Sequence, residues 1–308
     1  MLGTDPEFLI VDRAGIPVPA HKAGIPDKKH KMTLQTDESW CFRDGYMVEI
    51  NVLPNNCRQT MGHRMARALR RLQDYIAPKQ LRSRSAVRIN LAKDMKNAPD
   101  DVKQFGCEPS WDAYTGETKT PPIDAMTHPW RYAGGHLHFS GHDATNRSHG
   151  KPTPQLRKIV KLMDLYIGLP LTCVFGDRLT YQRRKFYGQA GEFRPQSYGS
   201  SQYGVEYRTP GPEVWRAPWV ASFAMGVGRD ICSNVAQLEF DDKMADDLQD
   251  AINTGAGRWK LVKGFRYHFT PLDVRRMAAK APVGLAMMVA DDNYQAINDG
   301  FADWLHKL

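Results

Sequence analysis

The chain has 308 residues, and its apolar (42%) and charged (25%) fractions are those of an ordinary globular protein, which excludes a fibrous or low-complexity chain and leaves room for one large core or two modest domains. The net charge of +8 invites a nucleic-acid partner, yet the basic residues are spread out, with denser patches at Arg64, Arg67, Arg70 and Arg71, at Arg82, Arg84 and Arg88, and at Arg183, Arg184 and Lys185; such patches equally attract an anionic substrate such as a nucleoside triphosphate, so charge does not choose. Five scattered cysteines with no Cys-x-x-Cys exclude a disulfide framework and a zinc ribbon and fit a reducing cytoplasm.

The first residues run straight into a strand with no basic-then-apolar segment, so no secretory signal is expected. That first strand spans about residues 6 to 12. Its surrounding motif, Gly3-Thr-Asp-Pro-Glu-Phe-Leu-Ile-Val-Asp12, sets Asp5 and Glu7 on one face and Phe8 and Ile10 on the other. Residues 32–42 and 46–53 form a hairpin closed at Arg43-Asp44-Gly45, whose second strand opposes Glu49 and Asn51 to Val48, Ile50 and Val52. From Arg58 to Ile76 the apolar positions Met61, Met65, Ala68, Leu69, Leu72 and Ile76 follow helical spacing. Residues 85–91 alternate as another strand, and residues 94–133 read as long irregular loops of the functional kind.

Gly134-Gly-His-Leu-His-Phe-Ser-Gly141 is a third polar-faced strand, carrying His136, His138 and Ser140 opposite Leu137 and Phe139. An apolar helix from Gln155 to about Gly168 follows, broken or kinked by Pro170. The run from Leu165 to Gly176 is too short to cross a bilayer. Arg183 to Tyr203 has no clear period and reads as a substrate loop. It leads into Tyr203-Gly-Val-Glu-Tyr-Arg-Thr-Pro-Gly211, where Glu206 and Arg208 share one face and Val205 and Tyr207 the other. Beyond Gly211 the chain turns helical: residues 218–235, an acidic helix over 241–253, an N-cap at Thr270, and a last helix over 291–306 with Tyr294, Ile297, Phe301 and Trp304 on one stripe.

Any one acid-x-acid or His-x-His pair on a half-buried strand is ordinarily just solvated. Four strands whose polar faces carry acids, imidazoles or an arginine make a cluster of oxygen and nitrogen ligands, the outline of a divalent-metal site. Carboxylates around a hard cation suit Mg²⁺ on substrate phosphates, and neighbouring arginines suit phosphoryl transfer. No P-loop, dinucleotide fingerprint, Gly-x-Ser-x-Gly or His-Glu-x-x-His motif is present.

In their order, Asp5-Pro-Glu7, Val-Glu49-Ile-Asn51-Val-Leu-Pro, Gly-Gly-His136-Leu-His138 and Gly-Val-Glu206-Tyr-Arg208-Thr-Pro-Gly resemble the carboxylate–amine ligases of the glutamine synthetase and glutamate–cysteine ligase superfamily. With the intervening Arg183-Arg-Lys-Phe-Tyr-Gly-Gln-Ala-Gly-Glu-Phe-Arg194 they look most like the phage-encoded type 2 branch, over roughly residues 3 to 211. The resemblance implies an α+β fold, a curved antiparallel sheet forming a half-barrel with helices on its outer face, as a single catalytic domain over 1–308. In it the motif-bearing sheet region is 3–211 and the part from 212 to 308 is mainly helical. It implies an ATP- and Mg²⁺-dependent (Mn²⁺ also fitting) ADP-forming ligase, which phosphorylates a carboxylate to an acyl phosphate that an amine then displaces, in the host cytoplasm. Asp5, Glu7, Glu49, His136, His138 and Glu206 match the family's metal positions, and Asn51, His138, Arg184, Arg194 and Arg208 are candidates for nucleotide and phosphate contacts. Glu49, Arg194 and Arg208 are the candidate catalytic groups. Asp5-Pro-Glu7 departs from the Glu-x-Glu of the wider superfamily. The competing readings are a metal-dependent hydrolase, since His with Glu equally suits a metal that activates water, and a basic nucleic-acid-binding or virion protein with a degenerate site.

Overall fold

The computed structural model describes residues 1–261 apart from 37, 106–108, 142–146, 149–150, 199–201, 217 and 259. The expected Thr270 cap and the helix over 291–306 lie outside the described residues. Two antiparallel sheets carry the motif strands. One runs, in spatial order, Leu2–Thr4, Leu137–Ser140, Gln202–Tyr207, Glu192–Tyr198, Ser110–Asp112 and Thr118–Lys119. The other runs Pro17–Val18, Glu7–Val11, Met47–Val52, Ser39–Asp44 and Met32–Gln35, with Gln80–Arg82 also pairing with Glu7–Val11. The fold is α+β with a curled antiparallel half-barrel, as the family resemblance implied.

The sheets meet at the start of the expected first strand, which forms as Glu7–Val11. Leu2–Thr4 pairs with the His138 strand, and Glu7–Val11 pairs with the Glu49 strand. Between them Pro6 has no N–H to give to a ladder, so the chain changes sheets at Asp5-Pro6. The Glu7 N–H then bonds the Gly134 carbonyl at 2.9 Å and the Ile50 N–H bonds the Pro6 carbonyl at 3.0 Å. Asp5 and Glu7 therefore do not share a face of one strand; they stand on either side of a corner.

The core lies on the sheets' apolar faces. Phe8, Ile10, Val48, Ile50, Leu137, Phe139, Phe193, Val205 and Tyr207 pack with Met61, Met65, Leu69 and Leu72 of the helix Arg58–Ile76, with Ile159 and Met163 of Pro154–Met163, and with Val220, Ala224 and Ile231 of Pro218–Asn234. The 3.6-residue spacing predicted the first helix to its ends. No helix among the described residues is long and apolar enough to cross a membrane.

Three expectations need correcting. Pro170 does not break its helix: a wide π-type turn at Asp164–Gly168 precedes it and the helix resumes as Leu169–Phe175. The wider turn accommodates the ring and the missing N–H. The segment from Arg183 to Tyr203 is not mainly a loop, since it holds the end of the helix Arg178–Arg184 and the central strand Glu192–Tyr198. The hairpin of residues 32–53 has three strands rather than two, because residues 32–42 fold back on themselves as Met32–Gln35 and Ser39–Asp44.

At Gly134-Gly135 the two halves come so close that a side chain has no room. A Cβ on Gly135 would lie 2.0 Å from the Gly211 carbonyl oxygen and 2.9 Å from the Pro212 nitrogen, both backbone atoms. Gly135→Ala is expected to destabilise the fold by about 3 kcal/mol, the upper end of overpacking costs. Chemical denaturation checks this, and an unchanged midpoint would reject the close approach.

Candidate active site

The polar faces of both sheets line one cluster. Glu7 and Glu49 are cross-strand partners, so their side chains leave the same face side by side. Asp44, at the end of the neighbouring strand, joins them: one carboxylate oxygen from each of Glu7, Asp44 and Glu49 lies within 4.8 Å of the others. Two neutral donors reach this trio. The Gly134 N–H donates to Glu7 Oε2 at 2.8 Å and Asn51 Nδ2 donates to Glu49 Oε1 at 2.6 Å. Burial pushes the Glu7 carboxyl up to about 8, with Asp44 adding to it. Burial likewise pushes Glu49 well above its ordinary value, helped by Asp5, Asp44 and Glu7. Three clustered oxygens short of positive charge fit a hard divalent cation.

Beside the trio, Asp5 bridges the two imidazoles of His-x-His. Its Oδ1 is 3.1 Å from His136 Nδ1 and 3.0 Å from His138 Nε2. Burial raises the Asp5 carboxyl, but His138 and His136 outweigh burial and hold it below the carboxylate range. The two histidines differ. Burial and the nearby Arg208 lower His136, whereas at His138 Asp5 overcomes burial and lifts the imidazole to about 9.

The third group stands on the His138, Glu206 and Arg194 strands, in which His138 pairs with Glu206 and Glu206 with Arg194. Glu206 Oε1 takes Arg208 Nη1 at 2.7 Å and lies 3.4 Å from His136 Nδ1. Its Oε2 takes Gln196 Nε2 and has Arg194 Nη1 at 3.7 Å. Burial raises Glu206, yet Arg208 outweighs it and keeps the carboxylate charged. Arg208 Nε reaches Glu192 Oε1 at 3.5 Å, so one buried guanidinium spans two buried carboxylates.

Of the residues singled out in the sequence, Asp5, Glu7, Glu49, Asn51, His136, His138, Arg194, Glu206 and Arg208 come together. Arg184 does not. Its guanidinium is buried between helices, bonding Thr172 Oγ1 at 2.8 Å and the Ile252 carbonyl. Its helix turns it away from the sheet while its neighbour Arg183 bonds the carbonyls of Arg208, Thr209 and Pro210. Arg184 thus lies among the helices, apart from the cluster. Three members of the cluster escaped the sequence reading. Asp44 was absorbed into a turn signal, although Phe42-x-Asp44 alternation puts it on the Glu49 face. Glu192 shares a face with Arg194 two residues on. Tyr187 carries no local signal.

No curated protein matches the chain. Residues 125–265 match the family described as Phage phiEco32-like COOH.NH2 ligase-type 2, a segment that holds His136, His138, Arg194, Glu206 and Arg208 and leaves Asp5, Glu7, Asp44 and Glu49 outside it. That match supports the resemblance to the phage-type carboxylate–amine ligases over residues 125–265.

Proposed function

We propose that the protein is an ADP-forming, ATP- and Mg²⁺-dependent ligase that joins a carboxylate to an amine through an acyl phosphate, on a glutamine-synthetase-like catalytic fold. The observation that carries this reading is the adjacency of an electron-rich carboxylate trio on one sheet to a buried Glu206–Arg208–Glu192 ladder on the other, where their polar faces meet. Glu7, Asp44 and Glu49 would hold the cation, with Asp5 beside them. When bound, the cation would neutralise oxygens of the transferring phosphates.

The chain's own groups do the rest. Arg208, fixed by two carboxylates, presents its charge without reorganising, which is what stabilisation of a transferring phosphoryl group requires. Arg194 stands beside it as a second phosphate or carboxylate contact. In the first step an oxygen of the carboxylate substrate attacks the γ-phosphorus and the bond to the β–γ bridging oxygen breaks, releasing ADP. In the second step the amine nitrogen attacks the acyl carbon, phosphate leaves, and the amine's proton passes to a carboxylate of the cluster.

Two cavities supply room for this, one reaching Asp5 and His138 and the other reaching Glu192 of the ladder. One, of about 350 Å³, is lined by Trp40, Val52 and Pro54 together with Asp5, Asn51 and His138, and suits the nucleoside. The other, of about 330 Å³, is lined by Ser110, Lys119, Lys185, Gln189 and Glu192, and suits the polar molecules to be joined.

The test is Mg-ATP turnover against pools of amino acids and polyamines, resolving ADP plus phosphate from AMP plus pyrophosphate. ADP release that needs a carboxylate and an amine together, and is lost in Glu206→Gln, is the expected result. AMP release would reject the acyl-phosphate route.

A further inference from the structure

Tyr187 is buried at 3% exposure and touches both His136 and the ladder's arginine. Its hydroxyl lies 2.5 Å from His136 Nε2, with the two rings edge to face. Its ring lies between two cations, the Arg183 guanidinium 4.7 Å and the Arg208 guanidinium 5.0 Å from the centroid. Arg183 is itself anchored on three backbone carbonyls of residues 208–210. A single aromatic ring therefore joins the start of the His138 strand to the end of the Glu206 strand.

We propose that Tyr187 is the positioning residue of this site, which fixes the orientation and tautomer of His136 and so aims Nδ1 between Asp5 and Glu206. The donors and acceptors around His136 fix its ring. His136 Nδ1 faces two carboxylates, Asp5 at 3.1 Å and Glu206 at 3.4 Å, and neither can donate when ionised. A neutral imidazole satisfies that environment only with its proton on Nδ1, which leaves Nε2 as a buried acceptor. The hydroxyl of Tyr187 is the donor within reach of that nitrogen, and a flipped ring would set a carbon against the hydroxyl and a nitrogen away from the carboxylates. A hydroxyl can also accept, so the same pair survives if Nδ1 gives up its proton and Nε2 takes one. The ring supplies the second half of the role. It holds the guanidinium of Arg208 by its π face, where a cation is attracted without consuming the N–H groups that Glu206 and Glu192 use.

Tyr187→Phe separates the hydroxyl from the ring. The first measurement is the long-range ¹H–¹⁵N spectrum of the histidine side chains in the protein free of metal and nucleotide, so it does not depend on the ligase assignment. In the parent protein His136 is expected as one tautomer, protonated at Nδ1, with Nε2 carrying the shift of a hydrogen-bonded acceptor. In Tyr187→Phe that shift disappears and the ring populates a second orientation, while the melting temperature stays close to the parent's. The second measurement, which does rest on the ligase reading, is ADP-forming turnover. There kcat is expected to fall about 10–100-fold, as for other groups that orient an active-site histidine, with the nucleotide KM unchanged. An unaltered His136 spectrum in the variant overturns the proposal whatever the turnover, and an altered spectrum with unaltered kcat overturns its bearing on catalysis. A parent protein that shows the spectral pairing and no ATP turnover rejects the ligase and leaves the pairing in place.

Discussion

Glu49→Gln is expected to cut ATP-dependent ligation by about 10²–10³-fold, the range for losing one preorganised charge at a reacting centre, and to raise the melting temperature of the metal-free protein. The two effects have one cause. Glu49 is forced toward its neutral form by burial first and then by Asp5, Asp44 and Glu7, so a neutral amide of the same shape relieves repulsion that the fold otherwise bears. Relief of this kind is worth about 0.5–2 kcal/mol when a functional site is made more stable and less active. The pH dependence follows with its sign. The Glu7 carboxyl is raised from 4.5 to about 8 by burial and by Asp44, so the folded state favours the protonated form. Its contribution is fully present below the unfolded value of 4.5 and is lost as pH rises through the folded value. The slope is about 1.4 kcal/mol per pH unit for one such group. Thermal scans at about pH 6 and about pH 8.5, with and without Mg²⁺, read both effects. Mg²⁺ should stabilise the parent far more at the higher pH, where it no longer competes with protons, and should do little for Glu49→Gln. A melting temperature indifferent to pH and to Mg²⁺ would remove the trio as the cation site.

Period and alternation made much of this fold legible in the sequence. The helix Arg58–Ile76 was readable to its ends because its apolar positions hold a strict helical spacing that its tertiary packing uses without change. The faces of the Glu49, His138 and Glu206 strands were readable because each alternates acids, imidazoles or an arginine against residues that enter one core. What escaped depends on more than one strand. Alternation put Asp5 and Glu7 on one strand face, and only pairing with two different partners reveals a corner between them. Asp44 looked like part of an Asp-Gly turn; Gly45 does take the left-handed backbone such a turn needs (φ 55°), but the acid before it also faces Glu49. The strand Glu192–Tyr198 hid behind Pro195, which breaks the usual composition of a central strand, and its partners are Trp111 and Asp112 far upstream and the hairpin strand Gln202–Tyr207 just downstream. Arg184 and Arg183 show the converse limit. Adjacent arginines in a basic run are indistinguishable by composition, and helix rotation alone decides that one braces the Arg208 backbone and the other a helix pair.

Arg208→Ala is expected to destabilise the protein by about 3–5 kcal/mol, the cost of stranding buried charge by removing one partner, in addition to eliminating turnover. Arg208 is 1% exposed and sits against Glu206, itself 1% exposed, and Glu192, 5% exposed. Its loss leaves two buried carboxylates without the guanidinium they share, and frees the Tyr187 face that the guanidinium covers. A site whose arginine served the fold alone would behave differently from one whose arginine serves chemistry, and a second variant separates them. Converting Arg208 to Met together with Glu206→Gln and Glu192→Gln removes all three charges while keeping volume, and apolar or neutral replacement of a whole buried ion-pair group is often neutral or stabilising. Denaturation midpoints should therefore fall sharply for Arg208→Ala and return to near the parent's in the triple variant, while ADP formation stays absent in both. Recovery of stability without recovery of turnover would assign the ladder to phosphoryl transfer. Recovery of both would mean that Arg208 holds the sheet together and takes no part in the reaction.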